Sequence, residues 1–501
     1  MNAEYILSLD QGTSSSRALL FDRFQQPLGM EQTEFPQYYP SDGWVEHNPD
    51  EIWETQLNVA KRLLKRLKVN PEGIAAIGIT NQRETAVVWD RETGRPVHNA
   101  IVWQDKRTAN ICDQLKSSDI AHYVMKSTGL VIDSYFSATK LSWILQHVPG
   151  AKNLARKGRL AFGTIDTWLL WKLTGGKIHA TDASNASRTM LFNISLLNWD
   201  DEILKYFDIP RIMLPEVKPS AGIFGYTQPG LFGNTSIPIT GIIGDQQAAL
   251  FGQRCFDSGD LKNTYGTGCF MLMNTGDKIV STKSGLLSTV AWQIDGNTAY
   301  ALEGSIFIAG AAVKWLRDGL KIIRTASETE SIATSITDSH GIYVVPAFAG
   351  LGAPYWDMYA RGVVVGITQA VTSQHLIRAT LESLAYQTRD IVESMESHSG
   401  IPLKSLRADG GASANNFIMQ FQADILNVPV ECPPSVEATA LGAALMAGLG
   451  ASFYRWDDIK RELPGKKIYN PHISDELRTA LYAGWKKAVK LSLGWAVNGL
   501  E

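Results

Sequence analysis

Two short turns have the composition to bind phosphate. The first, DQGTSSSR, groups Gly12, Thr13, Ser14 and Ser15, with Asp10 just before them and Arg17 on the outgoing segment. The second, YGTG, groups Gly266, Thr267 and Gly268. Turns of this kind point successive backbone N–H groups inward and form an anion nest without a cationic side chain. Alone, either reads as an ordinary β-turn. Two facing turns can hold a triphosphate between them while Asp10 holds a hydrated Mg²⁺.

Three further positions could act on a substrate. Asp245 stands where the apolar run PITGIIG gives way to DQQAALFG, at the start of a predicted helix. It suits a helix N-cap and a general base equally, because open α/β folds bind ligands at the C-terminal edge of the sheet. Gln246 and Gln247 could add hydrogen bonds to a polar substrate. Arg83 and Glu84 follow a predicted strand over Ile74–Thr80. They read as an exposed ion pair or, at a cleft edge, as the donor fork and acceptor that a polyol requires. Side chains alternate along a strand, so the two are not expected to pair with each other. Trp103 and Phe270 suit core positions; lining a cleft, they would cover the carbon face of a small polyol.

Other phosphate and hydrolase signatures are missing. There is no GxxxxGK[ST], and GxGxxG fails because Gly266 and Gly268 are followed by Met271. HExxH, GxSxG and the HRD and DFG sets are absent as well.

The elements that would position these residues alternate. Tyr5–Leu9 reads as a buried strand, Ala18–Phe21 as a second, and Ile52–Leu67 carries apolar residues at helical spacing before the strand Ile74–Thr80. This is an α/β pattern. The chain also looks built twice: LSLDQGTSSSRALLFD is echoed by LKNTYGTGCFMLMNTG, and the strand-to-helix passage around Asp245 by LRADGGASANNF around Asp409. Two related α/β domains, 1–252 and 253–501, with a cleft between them are expected. The stretch Thr439–Tyr454 is too short for a membrane span, and its Gly and Ala content predicts a tightly packed helix.

Composition narrows the classes. The 501 residues carry a formal charge of −3, with 45% hydrophobic and 19% charged residues. That is a globular chain, with no basic surplus for nucleic acid. The four scattered cysteines form no CxxC, and the N-terminus lacks a basic start followed by an apolar run. A reducing, cytoplasmic setting without membrane insertion is expected.

With both turns, GDQQAALFG and DGGASANNFIMQFQADIL, the sequence resembles the FGGY carbohydrate kinases of the actin-like ATPase superfamily. YFSATKLSWILQH and GVVVGITQAVTSQHLIRATLES agree with that family's patterns. The resemblance runs from about Tyr5 to Trp495. It implies two duplicated actin-like (ribonuclease H-like) domains and an ATP- and Mg²⁺-dependent kinase acting on glycerol, as a homodimer or homotetramer. It further implies that Arg83, Glu84, Tyr135, Asp245 and Gln246 hold glycerol against Trp103 and Phe270, with Asp245 the base. Thr13, Ser14, Ser15, Arg17 and Thr267 match the phosphate hairpins; Gly310, Gly411 and Asn415 match nucleotide contacts; Asp10 and Asp245 match the metal position. Lys314 stands where the family's pattern leads one to expect Gln. A kinase of the same family with another substrate, and an assembly or chaperone ATPase, are the alternatives.

Overall fold

The computed structural model describes residues 3–281, 285–433, 437–461 and 465–496; the outermost ends of the two expected domains lie outside them. Two mixed sheets organise the chain. The first has six strands in the order Ala221–Tyr226, Pro238–Gly244, Ile74–Asn81, Tyr5–Gln11, Ser15–Phe21, Pro27–Glu34. The second has seven, in the order Leu287–Ile294, Asn297–Ile306, Cys269–Gly276, Asp260–Tyr265, Ser405–Gly410, Val430–Cys432, Lys467–Tyr469.

Each sheet repeats one plan. A glycine hairpin joins two antiparallel strands (Tyr5–Gln11 to Ser15–Phe21; Asp260–Tyr265 to Cys269–Gly276), and parallel strands add beyond the first of them. The central strands are buried almost throughout, as expected where both faces are covered. Pro49–Leu67 forms a helix three residues longer than its apolar spacing implies. Asn48 caps it by accepting from Asp50 N, and Pro49 starts the first turn, where a missing N–H costs nothing.

The structure corrects one part of the repeat. Asp245 and Asp409 do not occupy equivalent places. The strand before Asp245 lies outside Ile74–Asn81, whereas the strand carrying Asp409 pairs directly with the hairpin strand Asp260–Tyr265. The counterpart of Pro238–Gly244 is Val430–Cys432, only three residues long, and its following helix is Ala438–Gly450. Too short to carry a period, that strand left the more visible Asp–Gly cluster to suggest the wrong pairing.

The two equivalent helices, Asp245–Gly252 and Ala438–Gly450, lie against each other backbone to backbone. A Cβ on Gly442 would overlap the carbonyl of Ala248, and one on Gly252 would overlap the carbonyl of Ala438. The later helix also rests on the first sheet, where a Cβ on Gly78 or Gly241 would strike Ala443 or Ala447. The tightly packed helix expected around 439–454 is present, packed through glycines. Its neighbours Leu250 and Phe251 share an apolar cluster with Leu272, Ala291 and Trp292 of the second sheet. Gly442→Ala should therefore cost about 3 kcal/mol or more, since the obstacle is main chain that cannot rotate away; chemical denaturation of the variant measures it.

Candidate active site

Arg83 and Glu84 lie just past the end of their strand and are buried, at 2% and 1% exposure. They do not form an exposed pair. Glu84 adopts φ 61°, in the left-handed region, so the chain turns and the two side chains face one another after all. Arg83 Nε stands 3.7 Å from Glu84 Oε1 and 3.2 Å from Asp245 Oδ1, and its Nη1 donates to Glu303 Oε2 at 2.6 Å. Arg188, fully buried, donates through Nε to Glu84 Oε1 and through Nη2 to Glu303 Oε1, each at 2.7 Å.

This is a closed square of two guanidiniums and two carboxylates, and each charge compensates its neighbours. Burial raises the Glu84 carboxyl pKa, against the pull of Arg83 and Arg188. Burial also opposes charge on Glu303, but Arg188 and Arg83 outweigh it and hold that pKa at about 2. Two further donors tie the carbonyl of Glu84: Ser137 Oγ at 2.9 Å and Lys140 Nζ at 3.4 Å, the latter also donating to Tyr135 O at 2.5 Å. Burial brings Lys140 down to about 7. Such tethering fixes the donors and acceptors before a ligand arrives.

Asp245 is the first helical residue and not the cap, which is Gly244. Its Oδ1 accepts from Gln246 N at 2.7 Å, and its side chain stays 28% exposed while its neighbours are sealed. Burial raises its pKa, Arg83 opposes the rise, and the charge of Asp10 adds to it. A raised proton affinity on a partly open carboxylate suits a base. Gln246 accepts from Lys262 Nζ, which also donates to Thr264 Oγ1 and Phe270 O at 3.2 Å each. Burial lowers Lys262 to about 8, against the pull of Asp409. Gln247 is instead structural, accepting from Arg83 and donating to Thr289 and Val290.

Trp103 is partly buried and forms the centre of an aromatic group, edge-to-face with Tyr135 at 5.5 Å and Phe270 at 6.5 Å. Its indole Nε1 donates to Thr13 Oγ1 at 2.9 Å, linking this wall to the first glycine hairpin. Burial pushes the Tyr135 phenol well up, so it remains a neutral donor.

In the first hairpin, Gly12 N donates to Ser15 O at 3.0 Å, Ser14 is exposed at the tip, and Ser15 is buried with its hydroxyl accepting from Gln32. Arg17 pairs with Asp10 and, at 3.0 Å, with Glu437. Asp10 and Asp245 fit Mg²⁺ as donors: each is a carboxylate, and the charge of one raises the proton affinity of the other, a repulsion a dication relieves. Among the described residues no three acidic, imidazole or thiol groups cluster as a metal cage.

The second hairpin is exposed at Gly266 and Thr267. The segment entering the short helix Gly310–Lys314 closes on it, Gly310 N donating to Gly266 O at 3.1 Å. A Cβ at Gly310 would lie 2.6 Å from that oxygen, so only glycine fits. Beside it a cleft of about 520 Å³ is lined by Gly310, Lys314, Gly411, Ala412 and Asn415. Lys314 is exposed at its edge, and a Cβ on Gly411 would meet nothing within 4 Å. Asn415 caps the helix Asn416–Leu426 and donates to Thr329 Oγ1 at 3.2 Å.

The structure thus gathers the expected residues into two groups, one around Arg83, Asp245 and the first hairpin, the other around the second hairpin and the cleft beside it. Sequence reasoning missed Arg188, Glu303, Lys140 and Lys262. Glu303 left one trace, a lone carboxylate in the apolar strand TAYALEGSI. Arg83→Ala should raise KM for the polyol by about tenfold or more with ATP affinity kept, because a desolvated hydroxyl loses its partner. Steady-state kinetics with each substrate varied tests the assignment of the two sides.

Two family models match the chain. The FGGY family of carbohydrate kinases, N-terminal domain, matches residues 5–252, and the C-terminal domain of that family matches 261–451. A glycerol kinase of Alkaliphilus oremlandii is 60% identical over 496 residues, covering 98% of each chain. Glycerol kinase 2 of Thermotoga maritima is 59% identical over 493 residues, 98% of this chain and 99% of that one. The crystal structure of Plasmodium falciparum glycerol kinase with ADP superposes with a TM-score of 0.93 at 38% identity, over 98% of this chain and 99% of the other. Among the described residues no helix is long and apolar enough to cross a membrane. The chain belongs to the FGGY family of carbohydrate kinases.

Proposed function

We propose that this chain transfers the γ-phosphoryl group of ATP to a terminal hydroxyl of glycerol, giving ADP and sn-glycerol 3-phosphate. The observation that carries the reading is the convergence of Arg83, Glu84 and the open carboxylate of Asp245 with the Trp103–Tyr135–Phe270 wall, hydrogen-bonded to the first glycine hairpin. The full-length relatives named glycerol kinase support it. Arg83 and Glu84 offer a donor and an acceptor for adjacent hydroxyls, and the aromatic rings cover the carbon backbone.

Asp245 takes the proton of the terminal hydroxyl as its oxygen attacks the γ-phosphorus in line. A new P–O bond forms while the bond to the β–γ bridging oxygen breaks, and ADP leaves with that electron pair. The transferring group carries spread negative charge, so stabilisation is mostly positional and electrostatic. The amides of both hairpins meet that charge, and Thr13, Ser14 and Thr267 add hydroxyl donors. Arg17, held by Asp10 and Glu437, supplies a fixed positive charge beside the first hairpin. Asp10 and Asp245 would hold Mg²⁺, which would supply neutralisation of the phosphate oxygens. Gly310, Lys314, Gly411 and Asn415 bound the cleft for the nucleotide.

The same reading makes the enzyme a cytoplasmic homodimer or homotetramer. ATP consumption measured with a panel of polyols and ketoses, and without acceptor, tests the function. Acceptor-dependent turnover with glycerol far ahead supports it. A preference for a pentitol or ketose makes the chain a family member with another substrate, and turnover without acceptor points to a nucleotide-driven assembly protein.

A further inference from the structure

A second cavity, of about 340 Å³, lies away from the cleft at the segment that carries the chain from one sheet to the other. That segment runs from Gly252, at the end of one helix, to Asp260, at the start of the second sheet. Arg254, Arg407, Lys460 and Lys466 line the cavity, together with Asp257, Asp260 and Glu431.

Of the three acids, Asp257 is exposed and the other two are already engaged. Glu431 accepts from Lys466 at 3.3 Å and stands 3.6 Å from Arg407. Asp260 accepts from Asp257 N at 3.0 Å and stands 3.9 Å from Arg407. Arg254 is different. Its Nη2 donates to Gln25 Oε1 at 2.6 Å and its Nε to Arg461 O at 2.8 Å, both neutral acceptors. Its Nη1 is buried and has no hydrogen-bond partner. Among the described residues no carboxylate lies within 4 Å of it. Burial and the facing charge of Arg407 bring the Arg254 guanidinium down to about 10.

A half-buried guanidinium with one nitrogen sealed from water, facing a second guanidinium and with no carboxylate within 4 Å among the described residues, is costly unless something anionic completes it. Lys460, exposed on its helix, adds a positive charge that a diffusing anion meets first. We propose that this inter-sheet cavity is a binding site for a small tetrahedral oxyanion of the phosphate class, clamped by Arg254, Arg407 and Lys460. Guanidinium forks match such an anion's oxygens, and a cavity of this size admits it with its first waters. The site goes beyond the transfer reaction and uses none of the residues assigned to it. Because its residues come from the connecting segment, the second sheet and a later helix, the bound anion would tie these three together.

The test uses the full-length protein saturated with glycerol and a non-hydrolysable ATP analogue, so that the phosphate positions of the cleft are filled. Inorganic phosphate is titrated by calorimetry at constant ionic strength. We expect one saturable site, with a Kd of about millimolar or tighter, weakened about tenfold or more in Lys460→Gln and in Arg254→Gln. Competition by sulfate marks the site as reading tetrahedral geometry. Competition by glycerol 3-phosphate shows that a phosphomonoester supplies the group as well as free phosphate does. Lys460→Gln should keep its kcat. If Arg254→Gln does not fold, the exposed Lys460 carries the comparison. Absence of saturation, or binding unchanged by both substitutions, overturns the proposal.

Discussion

Asp245→Asn should lower kcat by about 10²–10⁴-fold and leave the KM for glycerol nearly unchanged. The amide fills the same space and can still accept from Gln246 N through its oxygen. It cannot take the hydroxyl proton, so the loss falls on the transition state and not on the bound ground state. The geometry sharpens the expectation. Asp245 is the one member of its charged group with a side chain 28% exposed, while Arg83, Glu84 and Glu303 are sealed. Rapid-quench measurement of a single turnover separates this loss from slow product release. A variant with near-normal turnover would remove Asp245 from the role of base.

The second large effect is expected at Glu303. Glu303→Gln leaves Arg83 and Arg188 buried with Glu84 as their main shared counter-charge. Breaking a buried pair from one side costs about 3–5 kcal/mol, because the remaining charge keeps its desolvation penalty. The KM for glycerol should rise along with the loss of stability, since Arg83 loses the contact that aims it at Asp245. The pH dependence gives an independent check. The Glu303 pKa is held at about 2, below its usual 4.5. Its contribution is therefore complete above the usual carboxylate range and is lost as pH falls through that interval towards about 2. Unfolding curves of the wild type should lose stability across that window, and Glu303→Gln should lack that component. A variant with unchanged stability at neutral pH would mean that Glu303 is dispensable to the square.

The sequence and the structure agree best where the chemistry is local. Both glycine hairpins are legible because their turns, strands and hydroxyls lie within a few residues of each other. The helix through Leu63 and Leu67 shows its period, and the Gly- and Ala-rich helix shows its composition. Arg83 and Glu84 were legible as a recognition pair but not as partners, because strand alternation ended two residues earlier than it needed to. Only the left-handed backbone at Glu84 turns them together. Arg188 was not legible and Glu303 only as a lone carboxylate in an apolar strand; each matters only through residues more than a hundred positions away. The repeat was visible in its hairpins and misassigned in its later strand, where Val430–Cys432 is too short to show a pattern. Resemblance to a known family supplied the substrate, which spacing alone would have left as a small polyol.

The glycine-mediated crossing of the two helices also sets the order in which the molecule can be built. The first sheet is covered in part by Ala438–Gly450, a helix synthesised almost two hundred residues after the sheet's last strand. At ordinary translation rates that is a delay of about 10–40 s, during which Gly78 and Gly241 face no partner. The emerging first half therefore cannot complete its core when its own strands are finished. It waits, with an apolar face uncovered, for a segment still inside the ribosome. A fragment cut at Gly252 would wait indefinitely, and the exposed face would invite chaperones or aggregation.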